Sequence, residues 1–301
     1  MERIQQVIIC EKWYIPIFIV GGGEVSSLGL NQSYMKITKE EKMQECYSKA
    51  KEYLLEITPP ELQGNEVQKY FNVKKTFETK NELLYGLLGS LQNSQMMPNV
   101  IGLWNDDRKD FFEQIFYHYD VEKILQQYNS DSLFEKFCDT FTVKNANSKS
   151  NLWKRYSKSV ISAAKFINQF KSAEDFDKFI SSFSYNSLSS AALPLILEKE
   201  VFGLGFPLAC DFLKELGYDQ YPKPDIHIKE IFYAFGFCEN SDYEAYKAVI
   251  EMAHVCNDTP YNIDKVFWLI GSGRFYLHNI EIGRNKKEFI DKFQKYLCQY
   301  G

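Results

Sequence analysis

The residues best able to do chemistry in this 301-residue chain lie between 187 and 231, where Asp225 follows Pro224 just ahead of the apolar-periodic Ile228, Ile231 and Phe232. A carboxylate in such a place can stabilise developing positive charge and can orient or deprotonate a water molecule. It can also do no more than cap the helix it precedes, because aspartate is among the best N-cap residues. Upstream, Leu193, Ile196 and Leu197 sit at helical spacing, and Val201-Phe202-Gly203-Leu204-Gly205-Phe206 puts two glycines where a short link between helices needs positive φ or close backbone approach. Pro207 is expected at the first position of the next helix and Gly217 at its end. Such a hairpin aims free backbone amides outward. With a helix dipole behind them, amides form an anion site, and nucleic-acid phosphate is the ligand such a turn most often meets.

This stretch resembles the helix-hairpin-helix (HhH-GPD) base-excision DNA glycosylases, whose signature is a hairpin of the form Leu-Pro-Gly-Val-Gly-x-Lys-Thr-Ala followed by a loop ending in Val-Asp-Thr-His-Val. Here the hairpin reads Val201 to Ala209 and the loop ends in Pro224-Asp225-Ile226-His227-Ile228. Asp225 falls eighteen residues after Pro207, which fits the family's catalytic pair. The resemblance implies a mainly α, two-lobed helical bundle with a small N-terminal β element. It implies Gly203, Leu204, Gly205 and Phe206 on the DNA backbone, and Asp225 as the group that stabilises the sugar cation and activates water as an N-glycosidic bond breaks. The position of the family's Schiff-base lysine is Pro207, so a monofunctional enzyme without AP-lyase activity is implied. Lys214, two turns further along, is expected to lie too far from the pocket mouth to substitute. His227 matches the family's histidine and is read as a structural hydrogen-bonder rather than a base. Ser90-Leu91-Gln92-Asn93-Ser94 resembles the family's Ser-x-Gln-Thr-x segment, in which a glutamine or asparagine fills the gap left by an extruded base. Gln92 or Asn93 is then the wedge, unless the segment is only a polar helix C-cap.

The elements that must position these residues are mostly helices. Thr38 to Ile57 reads as an amphipathic helix stopped by Pro59-Pro60, and 80 to 93 as a more apolar one. Phe111, Phe112, Ile115, Phe116 and Tyr119 fall on one helical face over 107 to 119. Ser172 and Ser241 open two more helices in capping patterns, Asp264 to Gly271 reads as a buried helix with a glycine stop, and Phe289, Ile290, Phe293 and Leu297 mark a last one. Nine or ten helices are expected. Residues 4 to 20 read as two short strands closed by Gly21-Gly22-Gly23, a run that lacks the spacing of a nucleotide loop. The expected division is 1–60, a β element plus helix, and 61–301, the helical core with a basic insertion near 140–160.

That insertion is the main charge feature. Lys144, Lys149, Lys154, Arg155, Lys158, Lys165 and Lys171 occur between Thr140 and Ala173 with no acid, in a chain of formal net charge −5. Interleaved with Trp153 and Tyr156, the run suits a phosphate-tracking loop and helix in which Lys154, Arg155 and Lys158 touch DNA, the alternative being a solvated loop. The overall acidity does not exclude DNA, since the local field decides.

Aromatic residues at 16% supply both a core and stacking surfaces. Seven cysteines and four histidines show no metal-ligand spacing, so no metal or other cofactor is expected. Some members of the family this chain resembles carry an iron–sulfur cluster on four closely spaced cysteines near the C-terminus, and with only Cys238, Cys256 and Cys298 here the resemblance implies none. No segment is long enough to span a membrane and no signal peptide is evident, which reads as cytoplasmic, nucleoid-associated if prokaryotic; separately, a monomer is expected. The expected partner is double-stranded DNA with a damaged or modified base, flipped into a pocket of which His227 and Trp268 are candidate walls, Trp268 being alternatively core. The leading function is a monofunctional glycosylase and its rival a catalytically inactive helix-hairpin-helix DNA-binding protein; a purely structural helical domain is disfavoured by the Pro207 to Asp225 spacing.

Overall fold

The computed structural model describes residues 37–71, 73–94 and 97–300. The expected strands in 4–20 lie outside the described residues. The chain is mainly helical: α1 (Lys39–Ile57), α2 (Asn65–Gln68), α3 (Lys80–Gln92), α4 (Met97–Ile101), α5 (Lys109–Ile115), α6 (Val121–Gln127), α7 (Ser130–Thr140) and α8 (Leu152–Ile167) come first. There follow α9 (Ala173–Ser181), α10 (Ser187–Glu200), α11 (Phe206–Glu215), α12 (Ile226–Ala234), α13 (Asp242–Cys256), α14 (Pro260–Ser272) and α15 (Lys286–Tyr300). The described strands are β1 (Arg274–Phe275) and β2 (Ile280–Glu281), paired antiparallel with Arg274 opposite Glu281. Fifteen α-helices occur among the described residues, more than the nine or ten expected, in part because α2, α4 and α6 are too short to show a hydrophobic period.

Local chemistry accounts for many boundaries. Thr38 and Glu41 form a reciprocal capping box on α1, Thr79 and Glu82 do the same on α3, and Ser172 and Ser241 cap α9 and α13. The expected helix over 107–119 is shorter than its aromatic stripe. It stops at Ile115, and Tyr117, His118 and Tyr119 take positive φ of 50, 54 and 63°. Phe112, Ile115, Phe116 and Tyr119 are nonetheless buried, so the stripe is core, while Phe111 is exposed.

Two hydrophobic clusters organise the packing. One joins α3 to α11, with Leu87, Phe112, Tyr156, Phe176, Leu197 and Phe212 buried in it. The second joins α1 to α12, α13, α14 and α15 through Tyr47, Leu54, Ile228, Phe232, Phe267 and Phe289. Helix α1 therefore packs on the C-terminal helices, against α13 and α14, although it comes first in sequence. Cys46 and Cys210 are buried thiols.

Candidate active site

The hairpin belongs to the first cluster through Val201, Leu204 and Phe206, and the loop that follows it leads to Ile228 of the second. Helix α10 ends at Glu200 with Val201 as its C-cap, and α11 begins at Phe206 with Gly205 as its N-cap. Pro207 is thus the second residue of α11, one later than expected, where its missing N–H still costs no helical bond. Beyond Glu215 the chain closes in a Schellman turn: Tyr218 N donates to Leu213 O (3.2 Å), Gly217 N donates to Lys214 O (3.0 Å), and Gly217 has φ +102°.

The two hairpin glycines are not equivalent. Gly203 has φ +87°, and a Cβ there would lie 2.6 Å from Ser159 Oγ of α8, so both conformation and space demand glycine. Gly205 has φ −79° and would bring a Cβ no nearer than 3.9 Å to Pro207, so neither expected reason for glycine applies. Phe202 N donates to Ser162 Oγ (2.9 Å), which with the Ser159 contact seats the hairpin on α8. The amides of Gly203, Gly205 and Phe206 have no hydrogen-bond partner among the described residues. Leu204 and the ring of Phe206 are buried, so these two residues could offer DNA only backbone.

The same helix α8 carries the basic run. Asn151 caps it, accepting from Trp153 N (2.9 Å) and Lys154 N (3.2 Å), and its Nδ2 donates to Lys144 O and Asn145 O, folding the 144–151 loop back on the helix. Arg155 lies one turn before Ser159 and Lys158 one turn before Ser162, the two serines under the hairpin. Arg155 and Lys158 have no carboxylate partner among the described residues, and Arg155 Nε is buried without a hydrogen bond. Lys154 stacks its ammonium 5.9 Å from the ring of Phe134. The structure therefore brings together the hairpin amides and a cationic helix face, two features that sequence spacing leaves some forty residues apart.

Asp225 is half-buried and caps α12. Its Oδ1 accepts from His227 N (2.8 Å) and Ile228 N (3.1 Å), while Oδ2 has no partner among the described residues. Burial, followed by the nearby Asp264 carboxylate, pushes its carboxyl above the ordinary range, against the Ile228 N–H, His227 and Lys223. His227 is buried, its Nδ1 without a hydrogen-bond partner, and burial pushes its imidazole below the ordinary value although Asp225 opposes the shift. The hydrogen bond expected of His227 finds no partner for Nδ1 among the described residues. A Cβ on Gly271 would lie 2.5 Å from His227 Cβ, so Gly271 is not the stop of α14 but an interior residue that admits α12 at close range. The stop is Gly273, at φ +65°.

Beneath Asp225 lies a group of charges that spacing alone does not reveal. Asp211 of α11 pairs with Lys223 Nζ (3.2 Å) and lies 3.8 Å from Lys214 Nζ, and Lys214 pairs with the fully buried Asp264 (3.1 Å). Burial alone would raise Asp211, but Lys223 and Lys214 hold it below the usual carboxylate range. Burial would likewise lower Lys214, yet Asp264, Asp211 and Glu215 hold it well above its ordinary value. Lys214 is therefore buried and held as the paired cation. The available sequence signal was an Asp inside each of the apolar runs 207–213 and 263–271.

The wedge segment divides. Gln92 is buried, and its Oε1 accepts from Leu103 N (2.9 Å), so in this structure it is bonded within the core. Asn93 is the exposed C-cap of α3, with Nδ2 3.4 Å from Asp211 Oδ2. Trp268 is half-buried, edge-on to Tyr276 at 5.7 Å, and together with Tyr261 and Tyr276 surrounds the buried Lys265 ammonium. Its ring is thus occupied with Lys265 and Tyr276, which favours the core reading over a pocket wall. No group of three His, Cys, Asp or Glu side chains that could hold a metal ion occurs among the described residues. No described helix is long and apolar enough to cross a membrane.

No protein family and no curated protein matches the chain. Two solved structures from Methanocaldococcus jannaschii show a weak similarity to the chain. One is an 8-oxoguanine glycosylase/lyase in complex with a 15mer DNA containing 8-oxoguanine, at TM-score 0.47 and 13% identity over 76% of this chain and 98% of that one. The other is an 8-oxoguanine DNA glycosylase, at TM-score 0.42 and 14% identity over 78% of this chain and 94% of that one. At likeness this low, function must be read from the site's own geometry.

Proposed function

We propose that this chain is a monofunctional DNA glycosylase that flips a damaged or modified base and hydrolyses its N-glycosidic bond, in repair or in removal of modified phage bases. The observation that carries the reading is Asp225, with Oδ1 held by two backbone amides and Oδ2 free. A carboxylate held in this way keeps its direction while presenting one oxygen to a sugar that becomes cationic and to the water that attacks it. Its raised pKa suits a group that takes a proton from that water. The hairpin amides with Arg155 and Lys158 would grip phosphate, and Asn93, beside Asp211, is the remaining wedge candidate.

Pro207 has no amine, and Lys214 and Lys223 are both ion-paired, so strand cleavage through a Schiff base is not expected. Product DNA should stay intact at the abasic site until alkali is added, and borohydride should trap no covalent complex. Trapping lost in Lys223→Met or Lys214→Met would overturn the monofunctional part.

A second reading, a DNA-binding protein without chemistry, is favoured by one fact: Asp225 does cap α12. Mass spectrometry of free bases released from alkylated, oxidised, deaminated and phage-modified DNA separates the two. Release from one substrate, absent in Asp225→Asn, supports the enzyme. Binding without release from any of them gives the second reading.

A further inference from the structure

The chemistry above leaves the buried charges beneath Asp225 unused. Asp264 accepts through Oδ2 both from Lys214 Nζ (3.1 Å) and from the backbone N–H of Lys223 (2.7 Å). Its Oδ1 is buried with no hydrogen-bond partner. Helix α11 contributes Phe212 and Leu213 to the first hydrophobic cluster, and α14 contributes Ile263 and Val266 to the second. The Lys214–Asp264 pair therefore ties one cluster to the other, and the same carboxylate reaches the loop that leads to Asp225. Asp225 N in turn donates to Lys223 O (2.8 Å) across Pro224, so the backbone at Lys223 and the backbone at Asp225 move as one short turn.

We infer that Asp264, charge-paired with Lys214, is a positioning residue that holds the Lys223 backbone and thereby sets where the free oxygen of Asp225 stands. The inference rests on the reading of Asp225 as the catalytic carboxylate. A buried ion pair is a poor source of stability, because desolvation offsets most of its attraction. Charge-assisted N–H to carboxylate bonds are short and directional, so what this pair supplies well is geometry. Asp264 also acts on Asp225 through its charge. Asp225 is faced by His227 of its own helix, Lys223 of the loop, and Asp264 of α14 with Lys214 and Asp211 of α11 behind it, and Glu230, Arg284 and Lys286 lie beside His227. Among these, Asp264 is the one that, after burial, pushes Asp225 upward most.

The test compares wild type with Asp264→Asn, Asp264→Ala and the double variant Asp264→Asn with Lys214→Met, which leaves no lone buried charge. Three readouts are taken: the Asp225 carboxyl titration by carbon NMR, the Lys223 amide proton shift, and single-turnover base release across pH. Asparagine keeps an acceptor for Lys223 N but loses the charge. In both variants that carry it, the Asp225 midpoint and the acid limb of the rate should move to lower pH, with the plateau rate within about tenfold. Alanine loses the acceptor, so the Lys223 amide proton should move upfield and the plateau rate fall about a hundredfold, with DNA affinity unchanged. An Asp225 midpoint unmoved in the asparagine variants, or an alanine variant with the wild-type amide shift and rate, would overturn the inference. Should wild type release no base from any substrate, the glycosylase reading fails, and the two NMR readouts still decide whether Asp264 acts on Asp225.

Discussion

Replacing Asp225 with asparagine separates the helix cap seen in the structure from the catalysis proposed for the same side chain. The cap uses Oδ1 alone, accepting from His227 N and Ile228 N. An asparagine carbonyl can accept the same two bonds, and Asn caps about as well as Asp, so stability should change by no more than about 0.5 kcal/mol. The free oxygen loses its charge. A carboxylate about 4 Å from a sugar cation, at an effective dielectric of about 20, stabilises it by roughly 4 kcal/mol. That converts to a rate loss of about a thousandfold. Since the charge matters only as the cation forms, DNA affinity should stay near the wild-type value. The assay is single-turnover base release by mass spectrometry, with affinity from fluorescence anisotropy and stability from urea unfolding on the same preparations. Release within tenfold of wild type in a folded Asp225→Asn protein would refute the catalytic assignment. Asp225→Ala supplies the contrast, because it should lose the rate and also about 1 kcal/mol of stability as the cap disappears.

Gly203→Val should weaken DNA binding on every sequence, because it forces a side chain at φ +87° and within 2.6 Å of Ser159 Oγ, whereas Gly205→Ala should bind as wild type. Equal effects in an anisotropy titration would show that the hairpin is not gripped through its backbone as described. Gly271→Ala should cost about 1 to 3 kcal/mol in urea unfolding, since its Cβ meets His227 Cβ at 2.5 Å, and an unchanged midpoint would mean that α12 and α14 are not so closely packed. Arg155→Ala with Lys158→Ala should reduce the slope of log affinity against log salt by about 2. A slope left at the wild-type value would remove the face of α8 from the interface.

What sequence determined here is local. The caps at Thr38, Thr79, Ser172 and Ser241 involve partners three residues away, and Asp225 caps through residues two and three ahead. Such bonds are written in spacing, so helix starts and the place of the carboxylate could be read directly. The buried stripes of α9, α13 and α15 follow from the helical period for the same reason. Tertiary structure decided what the period cannot express. Gln92 and Asn93 are neighbours in sequence with equivalent chemistry, yet packing of α3 sends one into the core and leaves the other at the surface. Lys214 and Asp264 are fifty residues apart, and only the meeting of α11 with α14 makes them a pair. Gly271 reads as a helix stop until α12 is seen lying against it. In each case the deciding neighbour is supplied by another element, and the free energy that selects it comes from burying two surfaces together, which no spacing along the chain encodes.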